Sequence, residues 1–135
     1  MFKRSIILPA FFPSSMEDAK HFLEAIKILK KYDICFIEFY YRGNNKKTIK
    51  EYLIDHNLKS IYLGAMPAKQ KNLNLSSLNK ELREKSIQEM KKCIDDAYFF
   101  GSQAILVNSG RRLDNGEDKV AYKNRAEAHQ DNRFQ

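Results

Sequence analysis

Four short segments rich in β-branched and aromatic residues recur along the chain, with amphipathic stretches between them. They are "RSIILPAFF" at 4–12, "ICFIEFYY" at 34–41, "KSIYLGAMP" at 59–67 and "AILV" at 104–107. Each is too short for a helix and rich in strand-forming residues, so each predicts a strand, and "AILV" one buried on both faces. The stretches between them predict helices. In 13–33, Ala19, Phe22, Leu23, Ile26 and Leu29 recur at three- and four-residue spacing. Ser14 or Ser15 suits the cap, Glu17 and Asp18 the positive end of the dipole, and Lys30 and Lys31 the negative end. A shorter helix is predicted over 46–55, capped by Asn44 or Asn45, with Ile49, Tyr52 and Leu53 inward. Pro67 is expected to end the third strand, and "AKQKNLNLSS" to form a polar loop. A long helix follows over about 78–100, its apolar stripe read as Ile87, Met90, Ile94, Ala97 and Tyr98, with Gly101 at its C-terminal stop.

Strand and helix therefore alternate regularly, which calls for an α/β fold with parallel strands joined by right-handed crossovers. Two architectures satisfy this: an open doubly wound sheet, or the first (β/α)4 half of an eight-stranded barrel. The 135 residues, 43% of them hydrophobic, suffice for a single core. No apolar run approaches the roughly 18 residues of a membrane span. Lys3 and Arg4 before an apolar run imitate a secretory signal, but Pro9 interrupts that run and no cleavage pattern follows. Cys35 and Cys93 have no redox- or metal-like neighbours and are read as small buried hydrophobes of a reducing compartment, so a cytoplasmic location is expected.

The formal charge is +7, and its distribution matters more than its size. In both architectures ligands bind at the carboxyl ends of the strands. The loops leaving strands two to four carry Arg42, Lys46 and Lys47, then Lys69 and Lys71, then Arg111 and Arg112. The opposite loops are mixed. A basic rim of this kind attracts an anionic small molecule such as a phosphorylated sugar, although charge runs are also ordinary solvated surface. The aromatic residues fall at buried positions and not between the basic ones, which argues against nucleic acid.

Glu38 is the most informative candidate for chemistry. Alternation along the second strand puts Cys35, Ile37, Phe39 and Tyr41 on one face and Ile34, Phe36, Glu38 and Tyr40 on the other. The second face points into a barrel interior or cleft, where a carboxylate must be solvated, metal-bound or paired. Such a group can bind a sugar hydroxyl or act as an acid or base, and Arg42 is its expected partner if its role is structural. At the tip of strand four, Asn108, Ser109 and Gly110 offer polar and backbone contacts to a ligand. The three histidines are scattered, and no metal-ligand spacing or Gly-rich phosphate loop is present.

"ICFIEFYY", "LKSIYLGAMP" and "EMKKCIDDAYFFGSQAILVNSG" together resemble the sugar phosphate isomerase/epimerase superfamily, the xylose-isomerase-like TIM barrels, over about residues 5–125. The resemblance implies a (β/α)4 half of such a barrel, with Glu38 at a position where the family often carries a glutamate. It implies a parent activity of metal-assisted proton transfer on a sugar or sugar phosphate, with Mn, Mg, Zn or Co as the divalent metal. The family's ligands come from later strands, and this chain has Asn108 where some relatives carry His, so no metal is expected on this chain and no turnover by it alone. Glu38 is then the catalytic candidate, Arg42 and Arg111 phosphate partners, and Asn108 and Ser109 polar contacts. The organisation expected is a half-barrel over 1–112 and a partial fourth helix with a polar tail, truncated or disordered, over 113–135. The alternative is a non-catalytic half-barrel that self-associates through its exposed sheet edges and binds an anionic ligand or a protein partner.

Overall fold

The computed structural model describes residues 5–108. Strands β1 (Ser5–Ile7), β2 (Phe36–Phe39), β3 (Lys59–Tyr62) and β4 (Ala104–Ile105) form one sheet in the order β1-β2-β3-β4. All three pairings are parallel, with Ile6 opposite Ile37, Glu38 opposite Ile61, and Ile61 opposite Ala104. The sequential order decides between the two architectures. A doubly wound sheet must reverse its winding direction, whereas here every crossover steps the same way, and right-handed crossovers then put every helix on one face. This is the winding of a (β/α) barrel, with four strands described and the sheet not closed.

The helices on that face are α2 (Ala19–Lys31), α3 (Lys46–Asp55) and α5 (Lys80–Phe100). Two shorter ones, α1 (Leu8–Phe11) and α4 (Ala65–Gln70), follow β1 and β3 directly. Beneath them the sheet presents Ile37, Phe39, Ser60 and Tyr62, all buried. Phe39 is at the centre: its ring makes edge contacts with Phe22 of α2, Tyr62 of β3 and Phe100 of α5, at centroid distances of 5.6, 5.8 and 5.3 Å. Each of the three crossovers returns to the sheet through a residue with positive φ: Asp33 after α2, Asn57 after α3 and Gly101, with φ 68°, after α5; Asn72, between α4 and α5, also has positive φ.

Several details differ from the sequence expectations. Asp18, not Ser14 or Ser15, caps α2, its carboxylate accepting from the His21 amide at 2.9 Å. The serines belong to a 3-10 turn (Pro13–Met16), where the Ser15 hydroxyl donates to the Phe12 carbonyl. Pro67 does not end β3. It sits in the first turn of α4, where a missing amide hydrogen costs nothing, so part of the expected polar loop is helical. Cys35 precedes β2 and is exposed, while Cys93 is buried as expected. On α5 the buried face is Ser86, Glu89, Met90, Cys93, Ala97 and Phe100, rotated from the expected stripe. Ile87, Ile94 and Tyr98 lie outward, Tyr98 at 89% exposure. The expectations for Ser109, Arg111 and the 113–135 tail lie outside the described residues.

Burial sets a pH limit on this core. The Cys93 thiol, 3.8 Å from the Gly64 carbonyl, is pushed up to about 11 by burial first and then by the nearby Glu89 and Asp96 carboxylates. The folded chain therefore holds a proton that the unfolded chain releases from about pH 9. Stability is complete below that pH and falls as pH rises from about 9 to about 11. Tyr62, also raised by burial and by Asp96, extends the loss to higher pH. Urea midpoints at pH 8 and pH 10.5 should show the wild type losing more stability than Cys93→Ala. Equal losses would contradict this assignment.

Candidate functional site

The helix-free face of the sheet follows from strand alternation. Ile37, Phe39, Ser60, Tyr62 and Ile105 point to the helices, so Ser5, Ile7, Phe36, Glu38, Lys59, Ile61, Ala104 and Leu106 fall on the other side. Glu38 is half-buried there, and the Ser5 hydroxyl donates to its Oε1 at 3.4 Å. This is the face expected for Glu38, but not the partner: Arg42 lies elsewhere. Ser5 was not foreseen, although two-residue alternation in β1 puts it on the same face as Glu38.

Arg42 is at the carboxyl end of β2, where it ties three loops together. Its amide donates to the Met16 carbonyl at 2.8 Å, and its guanidinium donates to the Glu17 carboxylate and to Gln70 Oε1. It also lies 5.6 Å over the Tyr40 ring, whose hydroxyl accepts from Gln70 Nε2 at 2.8 Å. The Tyr41 hydroxyl donates to the Glu17 carbonyl at 3.4 Å. Gly43 follows in the same loop, with its backbone against Glu17 and the Tyr41 ring.

The rest of the basic rim is partly neutralised by carboxylates that are remote in sequence. Lys46 pairs with Asp96 of α5, which also accepts from the Tyr62 hydroxyl at 3.2 Å. Lys71 pairs with Glu89, also of α5, at 2.6 Å. A local count of charge missed these partners because each comes from another element. Glu89 and Asp96 do recur on the sheet-facing side of α5 at helical spacing with Cys93, and that spacing was the available signal. Lys69 has no ion pair among the described residues. It lines a cavity of about 330 Å³ with Leu73, Asn74, Ser86, Met90 and Asn108.

The structure does not bring Glu38 and Asn108 together. Glu38 is level with Ala104 in the register, two strands away, and Asn108 is four residues further on. Strand spacing and rise then separate them by roughly 15 Å. Among the described residues no three His, Cys, Asp or Glu side chains are grouped to hold a metal. These residues do not fit a metal cage.

A one-way-wound parallel sheet, with helices on one face and a carboxylate on the other, defines the chain as a member of the (β/α)-barrel class. The family model of the xylose isomerase-like TIM barrels matches residues 14–131, and the chain belongs to that family. No curated protein and no solved structure gives a significant match. Among the described residues no helix is long and apolar enough to cross a membrane.

Proposed function

We propose that this chain is the sugar-handling half of an isomerase- or epimerase-like barrel, with Glu38 as the carboxylate that meets the substrate. The observation that carries this reading is the position of Glu38. It stands on the helix-free face of the sheet, half-buried, with one weak hydroxyl partner and no ion pair among the described residues. A carboxylate kept partly dry but unpaired is available to accept a hydrogen bond from a sugar hydroxyl, and to take up and return a proton. Ser5 steadies it from β1.

At the carboxyl end of β2 the guanidinium that could meet an anionic group is already engaged. A phosphate reaching Arg42 would compete with Glu17 and Gln70, so Arg42 serves a phosphate only by giving up contacts that hold the rim. Lys69 and Asn108 line a cavity of their own, with Ser109 and Arg111 next along the chain, but Asn108 is roughly 15 Å from Glu38, beyond the reach of one sugar phosphate held by both.

Amide chemical shifts recorded while titrating a panel of pentoses, hexoses and their phosphates test this. Saturable shifts at Ser5, Glu38 and Ile61 are expected, with Glu38→Gln weakening the affinity about tenfold or more, the loss of a hydrogen bond to a charged group. Shifts confined to other surfaces, or equal affinity in Glu38→Gln, would overturn the proposal. Phosphorylated sugars binding no better than neutral ones would remove the phosphate from it and leave Glu38 in place.

A further inference from the structure

Strand register gathers a small group of side chains around Glu38. Ser5, Phe36 and Lys59 lie opposite one another across β1, β2 and β3, and Ile7, Glu38 and Ile61 form the next row. Alternation puts both rows on the same side of the sheet. Ser5 and Lys59 therefore flank Phe36, and each lies diagonal to Glu38. The Ser5 hydroxyl, on a short side chain, already reaches Glu38 Oε1 at 3.4 Å. Strand spacing and rise put the Lys59 Cα roughly 8 Å from that of Glu38, within the combined span of the two side chains. The two head groups nevertheless do not pair with each other. Lys59 is exposed, while Glu38 and Phe36 are half-buried. An ammonium group and a carboxylate so placed can hold one ligand between them.

An anionic sugar brought to Glu38 meets a like charge, so it binds there only where a cation offsets the repulsion. The carboxyl rim is poorly placed to supply one. Arg42 is held by Glu17 and Gln70, Lys46 by Asp96 and Lys71 by Glu89. Lys59 is the only basic residue within the four described strands, and it stands on the face of Glu38. We infer that Lys59 sets the substrate class: it holds the anionic group of an acidic sugar whose hydroxyl is bound by Glu38. The half-buried Phe36 ring, between Ser5 and Lys59, meets the C–H face of that sugar, and Ser5 adds a hydroxyl beside Glu38. The ammonium group is a point charge on a flexible stem, so a sugar carboxylate and a sugar phosphate offer it the same chemistry. This inference rests on the reading of Glu38 as the sugar-binding carboxylate and adds the cation that such a site requires.

The test is the affinity of the full chain for glucose, glucuronate and glucose 6-phosphate, which share one ring and differ at one carbon, read from amide shifts at Ser5, Glu38 and Lys59. The wild type should bind one or both acidic sugars roughly fivefold more tightly than glucose, the upper end for an exposed ion pair. Added salt should shrink that preference. Lys59→Gln should bring the three sugars to near equality with the glucose affinity unchanged, and Lys59→Arg should keep the preference. Whichever acidic sugar gains identifies the group held, carboxylate or phosphate. A wild type without the preference, or a Lys59→Gln variant that retains it, would overturn the inference. The Glu38 reading survives either result if Glu38→Gln still weakens glucose binding. Equal glucose affinity in the wild type and Glu38→Gln would instead remove that reading, and the role of Lys59 with it. Lys59 is exposed, so circular dichroism of Lys59→Gln should match the wild type and separate lost preference from lost structure.

Discussion

Replacing Phe39 with alanine is expected to cost about 3–5 kcal/mol of folding stability, the range for an aromatic ring removed from a packed core. Phe39 is fully buried, and its ring touches Phe22, Tyr62 and Phe100, which come from three different elements. The loss therefore combines the transfer free energy of the ring, the cavity left behind and three edge contacts. Against a typical total of about 5–15 kcal/mol it would leave a large unfolded fraction at ambient temperature. Urea denaturation followed by circular dichroism measures it. Phe39→Leu, which keeps most of the volume, should cost clearly less, and Tyr98→Ala on the exposed side of α5 should stay within about 0.5 kcal/mol. If Tyr98→Ala proved as costly as Phe39→Ala, the rotation of α5 described above would be wrong.

The second large effect is expected at Gly43. A methyl group there would overlap the Glu17 carbonyl oxygen and the Tyr41 ring. The Tyr41 side chain can move, but the Glu17 carbonyl is main chain in a segment that also carries the Arg42 amide bond to Met16. Gly43→Ala is therefore expected to destabilise by about 1–3 kcal/mol through overpacking. It should also loosen the loop that holds Arg42, seen as faster exchange of the Arg42 amide. Gly101→Ala provides the contrast. Nothing lies near its added methyl, so its cost comes only from the positive φ, and Gly101→Asn should recover part of it. Unchanged stability and unchanged Arg42 exchange in Gly43→Ala would contradict the close approach of the two loops.

The architecture was legible in the sequence because alternation of strand and helix is a local signal, and handed crossovers convert it into a sheet. The face of Glu38 was legible for the same reason, since β2 keeps its two-residue period from Phe36 to Phe39. The rotation of α5 was not. Ile87, Ile94 and Tyr98 make the more apolar stripe, yet the sheet takes Ser86, Cys93 and Phe100, with the Ser86 hydroxyl donating to the Leu82 carbonyl and the Cys93 thiol against the Gly64 carbonyl. Alternation alone left a doubly wound sheet and a barrel half both open; the family resemblance pointed to the barrel half, and the sequential strand order bears it out. The rim charges were misjudged for a related reason: Glu17, Glu89 and Asp96, which neutralise Arg42, Lys71 and Lys46, are 18 to 50 residues from their partners.

Fold and site both rest on a single arrangement, four strands running the same way in sequential order with Glu38 turned from the helices. Nuclear Overhauser contacts across the sheet test it most directly. The prediction is the staggered parallel pattern between the backbones around Ile6 and Ile37, Ile37 and Ser60, and Ile61 and Ala104, with the Glu38 side chain near Ser5 and without contacts to α2. Close Hα–Hα pairs of antiparallel strands, or Glu38 against the α2 side chains, would contradict it.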